Sequence, residues 1–196
     1  KKHFPREARA QMEEMVRYVK EVFRERIRAL PWMERQTKIH ALKKLSTLVT
    51  KIGHPHKWKS YAKLPVTSSY VENIIRLNVF HFEREIAKVG KRPNRAEWHM
   101  SPATVNAYYS PNFNEIVFPA AILQFPFFDP KRDAAFNYGG IGSVIGHEIS
   151  HAFDDSGSQF DHKGNMKNWW STHSKKKFDA RTKVLVEQYN EYEPLP

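Results

Sequence analysis

Gly146-His147-Glu148-Ile149-Ser150-His151-Ala152-Phe153-Asp154-Asp155 carries two histidines four residues apart, with a glutamate directly after the first. On a helix, positions i and i+4 share a face, so both imidazoles can turn to one metal ion. Glu148 lies beside that face, where a carboxylate can hold and deprotonate a water. Neutral imidazole suits zinc, and zinc with an open position lowers the pKa of its water toward ~7, which makes a nucleophile at neutral pH. The chain has no cysteine, so one zinc ion here must be held by His and carboxylate. The bland alternative is a surface helix with two unremarkable histidines. Against it, a strongly apolar segment (Ile141, Val144, Ile145, Ile149) is dense in His, Glu and Asp, and buried polar groups need partners. Asp154, three residues after His151, can accept the free ring N–H of a metal-bound His and fix its tautomer. It reads equally well as a turn residue at the helix end.

Working outward, Asn137 is a good N-cap for this helix. Gly139, Gly140, Gly142 and Gly146 weaken it in isolation and point to backbone packed very close by. Val105–Tyr109 and Glu115–Phe118 are short β-prone runs joined by the turn-rich Ser110-Pro111-Asn112-Phe113-Asn114, which predicts a hairpin or strand pair. A Pro- and Phe-rich loop runs from Pro119 to about Pro130. Past Trp169-Trp170, Ser171 or Thr172 caps a further helix reaching about Tyr189. The first half reads as helices. Met12, Met15, Val16, Val19, Val22, Phe23, Ile27 and Leu30 form one buried stripe, ended by Pro31. A second helix is expected from Thr37, burying Ala41, Leu42, Leu45, Leu48, Val49 and Ile52 and stopping at Gly53. A third is expected over 68–89, closed by Gly90.

Hydrophobic residues make up 40% and aromatics 13% of the 196 residues, which excludes a disordered chain. No apolar run approaches the roughly 18 residues of a membrane span, and Lys1-Lys2-His3-Phe4-Pro5 does not open a signal peptide. The net charge of +11 is lopsided. Residues 1–100 hold 23 Lys and Arg against 10 Asp and Glu, whereas 101–196 hold 9 against 11. The basic half alternates Glu with Lys and Arg as solvated helix faces do, and no nucleic-acid module accompanies it. The reading is therefore no nucleic acid.

Val105-Asn106-Ala107-Tyr108-Tyr109, Ile116-Val117-Phe118-Pro119-Ala120, Asn137-Tyr138-Gly139-Gly140-Ile141-Gly142 and Gly146 through Asp155 resemble the neprilysin and endothelin-converting-enzyme family of zinc metallopeptidases. Phe160-Asp161, Gly164-Asn165, Trp169-Trp170, and earlier Trp32-Met33, Thr37 and Gly53-His54-Pro55 fit as well, so the likeness runs along essentially the whole chain. The lack of cysteine looks more like a bacterial member than the disulfide-bonded animal ectodomains. The resemblance implies that His147 and His151 are zinc ligands, Glu148 the general base and Asp154 the partner of a ligand. Asn106 and Ala107 would lie on an edge strand that binds substrate backbone, which has physical sense because such an edge offers unpaired N–H and C=O groups. Locally, Asn106 reads better as a turn residue.

The family takes its third zinc ligand from a Glu in a later Glu-Asn-x-x-Asp motif, which this sequence lacks. Glu187, Glu191 and Glu193 are the glutamates after His151, and residues 184–189 resemble the helix before the ligand helix, so none is assigned to zinc. The expectation is a fragment completed by the remainder of the same polypeptide. The expected fold is mainly α with a small β-sheet, part of a thermolysin-like zincin catalytic domain (101–196) plus a helical lid and linker region (1–100). The expected function is zinc-dependent hydrolysis of short peptides, outside the cytoplasm in preference to inside it. The rivals are an inactive zinc- or peptide-binding fragment and a basic helical nucleic-acid binder.

Overall fold

A computed structural model describes residues 4–193; the opening Lys1-Lys2-His3 and the closing Pro194-Leu195-Pro196 lie outside the described residues. The chain divides into two units, one made of residues up to His54 and from Met100 onward, the other Pro55–His99.

The first unit contains α1 (Arg6–Ala29), α2 (Arg35–Ser46), β1 (Val49–Gly53), β2 (Tyr108–Ser110), β3 (Glu115–Pro119), α4 (Ala134–Gly139), α5 (Ile141–Ser150) and α6 (Thr172–Asn190). Helix α1 follows its apolar stripe, with Ala8, Met12, Met15, Val16 and Ile27 buried. Helix α2 departs from expectation. It ends at Ser46, and Val49 and Ile52 belong to a strand. The Thr47 hydroxyl donates to the Lys43 and Lys44 carbonyls, closing the helix. The residues that follow then pair in parallel with β3, Val49 opposite Glu115 through Gly53 opposite Pro119. Gly53 thus ends a strand, not a helix.

The sheet has the order β1-β3-β2, with β2 antiparallel to β3 through the expected hairpin. All five residues of β3 are buried, which suits a central strand covered on both faces. Lys51 pairs with Glu115 at 2.8 Å. The core joins α1, α2, α5 and the sheet through Met12, Leu45, Ile116, Phe118, Ile141, Ile145 and Ile149.

The helix predicted from Asn137 is two helices. Asp133 caps α4 by accepting the Ala135 N–H at 2.8 Å. Asn137 sits inside α4, buried, and clamps the preceding loop: its side chain accepts from Asp129 N and donates to Asp129 O, both at 2.9 Å. Gly140 makes the break, where a Cβ would stand 2.4 Å from the Phe127 carbonyl oxygen. Close backbone approach is real there but absent at Gly139 and Gly146, which have open space. Ser171 caps α6 through the Ser174 N–H, and its own N–H donates to Thr37 Oγ1 at 3.0 Å, tying the starts of α6 and α2 together.

In the second unit, α3 (Tyr70–Ile86) is capped by Ser69, and Gly90 follows with positive φ. Lys88 there bridges Glu85 and Glu97. Among the described residues no helix is long and apolar enough to cross a membrane.

Candidate metal centre

Helix α5 presents Ile141, Ile145 and Ile149, all fully buried, to the core. Glu148 is three residues after Ile145, so it shares this inner stripe and is itself 4% exposed. Its carboxyl accepts the backbone N–H of Tyr109 on strand β2. The other oxygen, Oε2, is buried with no hydrogen-bond partner. Burial pushes the Glu148 carboxyl above the ordinary carboxylate range; His151, His147 and the Tyr109 N–H pull it partly back.

His147 and His151 project from the adjoining face, with ring planes 80° apart and Nε2 atoms 3.0 Å from each other. His151 Nδ1 lies 2.7 Å from Asp154 Oδ2. A carboxylate can only accept, so Nδ1 carries the proton, and in the neutral ring this leaves the His151 Nε2 lone pair for a metal. Two tetrahedral zinc ligands at 2.0–2.1 Å would stand about 3.3 Å apart, close to the separation seen. The converging Nε2 atoms, the fixed tautomer and the orphaned Glu148 oxygen all fit a zinc ion. They supply two nitrogen donors. Among the described residues no group of three or more His, Cys, Asp or Glu could hold a metal. Glu187 and Glu191, at the far end of α6, are exposed, as is Glu193.

Asp154 is set by a loop that folds back on the helix. Its Oδ1 accepts the N–H groups of Ser156 (3.1 Å) and Gly157 (2.7 Å), leaving Oδ2 for His151. Gly157 passes so near that a Cβ would meet the His151 carbonyl oxygen at 1.8 Å, so only glycine fits. Asn106 and Ala107 immediately precede β2 and are not within it. Asn106 is exposed and its side chain accepts the Ala107 N–H at 2.8 Å. Tyr109 was missed as a site residue, since its contribution is a backbone N–H that no side-chain pattern announces.

A histidine and a glutamate on one helix, with a second histidine at its C-cap, set against the edge of a small sheet, define the zincin class of zinc peptidase folds. Two models described as peptidase family M13 match residues 1–55 and 106–195. Human endothelin-converting enzyme 1 is 38% identical over 199 residues, covering 96% of this chain and 26% of that protein. Neprilysin-2 of Drosophila melanogaster is 40% identical, covering 97% and 26%. Among solved structures, the zinc metalloprotease ZMP1 of Mycobacterium tuberculosis superposes with a TM-score of 0.92 at 48% identity, covering 95% of this chain and 29% of that one. PepO from Lactobacillus rhamnosis gives 0.92 at 35% identity, covering 97% and 31%. The chain belongs to peptidase family M13. It spans about a quarter of the length of the curated relatives it matches.

Proposed function

We propose that the protein is a zinc-dependent endopeptidase that hydrolyses short peptides, with His147 and His151 as zinc ligands and Glu148 as general base. One arrangement supports this reading above all: two Nε2 atoms 3.0 Å apart beside a buried carboxylate oxygen without a partner. When bound, zinc supplies a Lewis acid that polarises a carbonyl and acidifies water. Asp154 holds the Nδ1 proton of His151, keeping Nε2 available. Glu148, steadied through its other oxygen by Tyr109, takes a proton from the attacking water at Oε2 and returns it to the departing amine. Asn106, Ala107 and the edge of β2 bind the substrate backbone as an added strand.

The third ligand, in this proposal, is a glutamate from elsewhere in the same polypeptide. The absence of a three-donor group among the described residues and the quarter-length match support that view. On the same resemblance, residues 1–100 contribute to a helical lid and linker, residues from 101 to the catalytic domain, and the protein works outside the cytoplasm. The test compares the 196-residue chain with the complete polypeptide by zinc calorimetry and cleavage of a quenched-fluorescent peptide. The complete protein should bind one zinc tightly and cleave, lose activity to a chelator and regain it with zinc; the chain alone should bind weakly and cleave nothing. Tight binding with cleavage by the chain alone would move the third ligand to Glu187, Glu191 or Glu193. No cleavage by the complete protein would overturn the reading.

A further inference from the structure

Lys44 is 1% exposed, among the largest fully buried side chains of the described residues. No carboxylate stands within ion-pair distance of it among those residues. Its ammonium donates to the carbonyl oxygens of Gly157 and Phe160, both at 2.6 Å, and lies 5.9 Å from the ring centres of Tyr109 and Trp169. Burial lowers its pKa to about 8, against the opposing fields of Asp154 and Asp161. A charge kept in such a place, where a leucine would pack more cheaply, calls for a reason.

Its hydrogen bonds lead to the His151 side of the candidate metal centre. Gly157 accepts from Lys44 through its carbonyl and donates its N–H to Asp154, whose other oxygen holds His151. Three links thus join the ammonium to a zinc-binding ring. The Lys44 main-chain carbonyl, which any residue at this position would supply, accepts from Asn114 Nδ2 at 3.0 Å, and Asn114 Oδ1 accepts the Tyr109 hydroxyl at 3.1 Å. Tyr109 in turn holds Glu148 through its N–H. Asn114 sits at φ 48°, a left-handed conformation this bonding secures.

We propose that Lys44 is a positioning residue: a buried cation that sets the Asp154–Gly157 loop and through it aligns His151. The proposal rests on the zinc peptidase reading for its effect on turnover, but not for its effect on metal geometry. A hydrophobic replacement removes a donor shared by the buried Gly157 carbonyl and the partly buried Phe160 carbonyl, and loosens the loop that follows Asp154. Groups just outside a metal's ligands typically govern about 10- to 100-fold in affinity or activity.

The experiment uses the complete polypeptide and the variants Lys44→Met, near in length and without charge, and Lys44→Gln, which keeps N–H donors and loses the charge. Leu45→Ala, a buried neighbour on the same helix, serves as a stability control. Zinc affinity is measured by chelator competition, coordination by the absorption spectrum of the cobalt(II)-loaded protein, and turnover by peptide cleavage split into kcat and KM. Lys44→Met should weaken zinc about 10-fold, shift the cobalt spectrum and lower kcat with KM little changed. Lys44→Gln should fall between it and the wild type. Leu45→Ala should lower Tm without moving the spectrum or kcat. If Lys44→Met does not fold, Lys44→Gln decides by the same readouts. A folded Lys44 variant with wild-type zinc affinity, spectrum and kcat would overturn the proposal. A wild type that does not cleave peptide would sink the peptidase reading instead, while affinity and spectrum still judge Lys44.

Discussion

Replacing Asp154 with Asn changes one atom and forces a choice on the site. The aspartate makes three hydrogen bonds as acceptor: Ser156 N and Gly157 N on Oδ1, His151 Nδ1 on Oδ2. Asparagine has one oxygen. If that oxygen stays with the loop, the amide N–H₂ faces His151 Nδ1, which must then accept. The ring proton moves to Nε2, and the nitrogen that faces His147 can no longer bind metal. If the amide turns over, two loop N–H groups lose their acceptor and Gly157 loses its anchor. A hydrogen bond to a charged group contributes about 1.5–3 kcal/mol, and 1.4 kcal/mol is tenfold, so zinc affinity should fall about 10- to 100-fold. Chelator competition on the complete polypeptide measures this, and nitrogen-15 spectra of the histidine rings report the tautomer directly. Asp154→Asn with unchanged zinc affinity and Nδ1 still protonated on His151 would refute the reasoning.

Asn106→Ala should lower kcat/KM about 2- to 10-fold across several peptides with zinc content unchanged, the value of one neutral hydrogen bond to substrate backbone; equal kcat/KM would make Asn106 merely structural. Gly157→Ala should destabilise by at least the ~1–3 kcal/mol of ordinary overpacking, because its Cβ would collide with fixed backbone; a melting curve like the wild type would contradict the loop geometry. Without metal, Glu148 should make stability depend on pH. Its folded pKa is raised by burial, so its carboxyl binds protons more tightly folded than unfolded. That contribution is present below the unfolded pKa and lost as pH rises through the folded one. Glu148→Gln mimics the neutral acid, so it should match the wild type in acid and exceed it as pH rises past ~4.5. A constant gap in urea titrations across pH would rule this out.

Much of this molecule is legible locally. The α1 stripe, the β2–β3 hairpin and the start of α6 rest on periodicity and caps that lie within a few residues of one another. Strand β1 was hidden because Leu45, Leu48, Val49 and Ile52 continue the three-and-four spacing of α2. Its true signal is pairing with β3, 66 residues later (Val49 opposite Glu115), which no local pattern carries. The α4–α5 break was masked likewise: the four glycines looked alike, and only Gly140 faces a neighbouring carbonyl. At the candidate metal centre, the nearness of His147, Glu148 and His151 was legible because helical spacing brings them together, and Asp154 reaches His151 from the turn that follows α5. Tyr109 and Lys44 were not legible. One acts through its backbone, and the other stands in a Lys43-Lys44 pair that reads as a solvated helix face. The charge pattern was a fair guide to most of that basic half and misled at Lys44, the one buried lysine among the described residues.

Glu148→Gln in the complete polypeptide tests the central claim most directly. The amide is nearly isosteric, keeps an acceptor for the Tyr109 N–H and is no zinc ligand, yet it cannot take a proton from water. Metal analysis should find one zinc per chain as in the wild type, while peptide cleavage falls about 10²–10⁴-fold or more. A variant that keeps its zinc and half its activity would remove Glu148 from the mechanism, and one that loses its zinc would show that the carboxylate belongs to the metal's own ligand set.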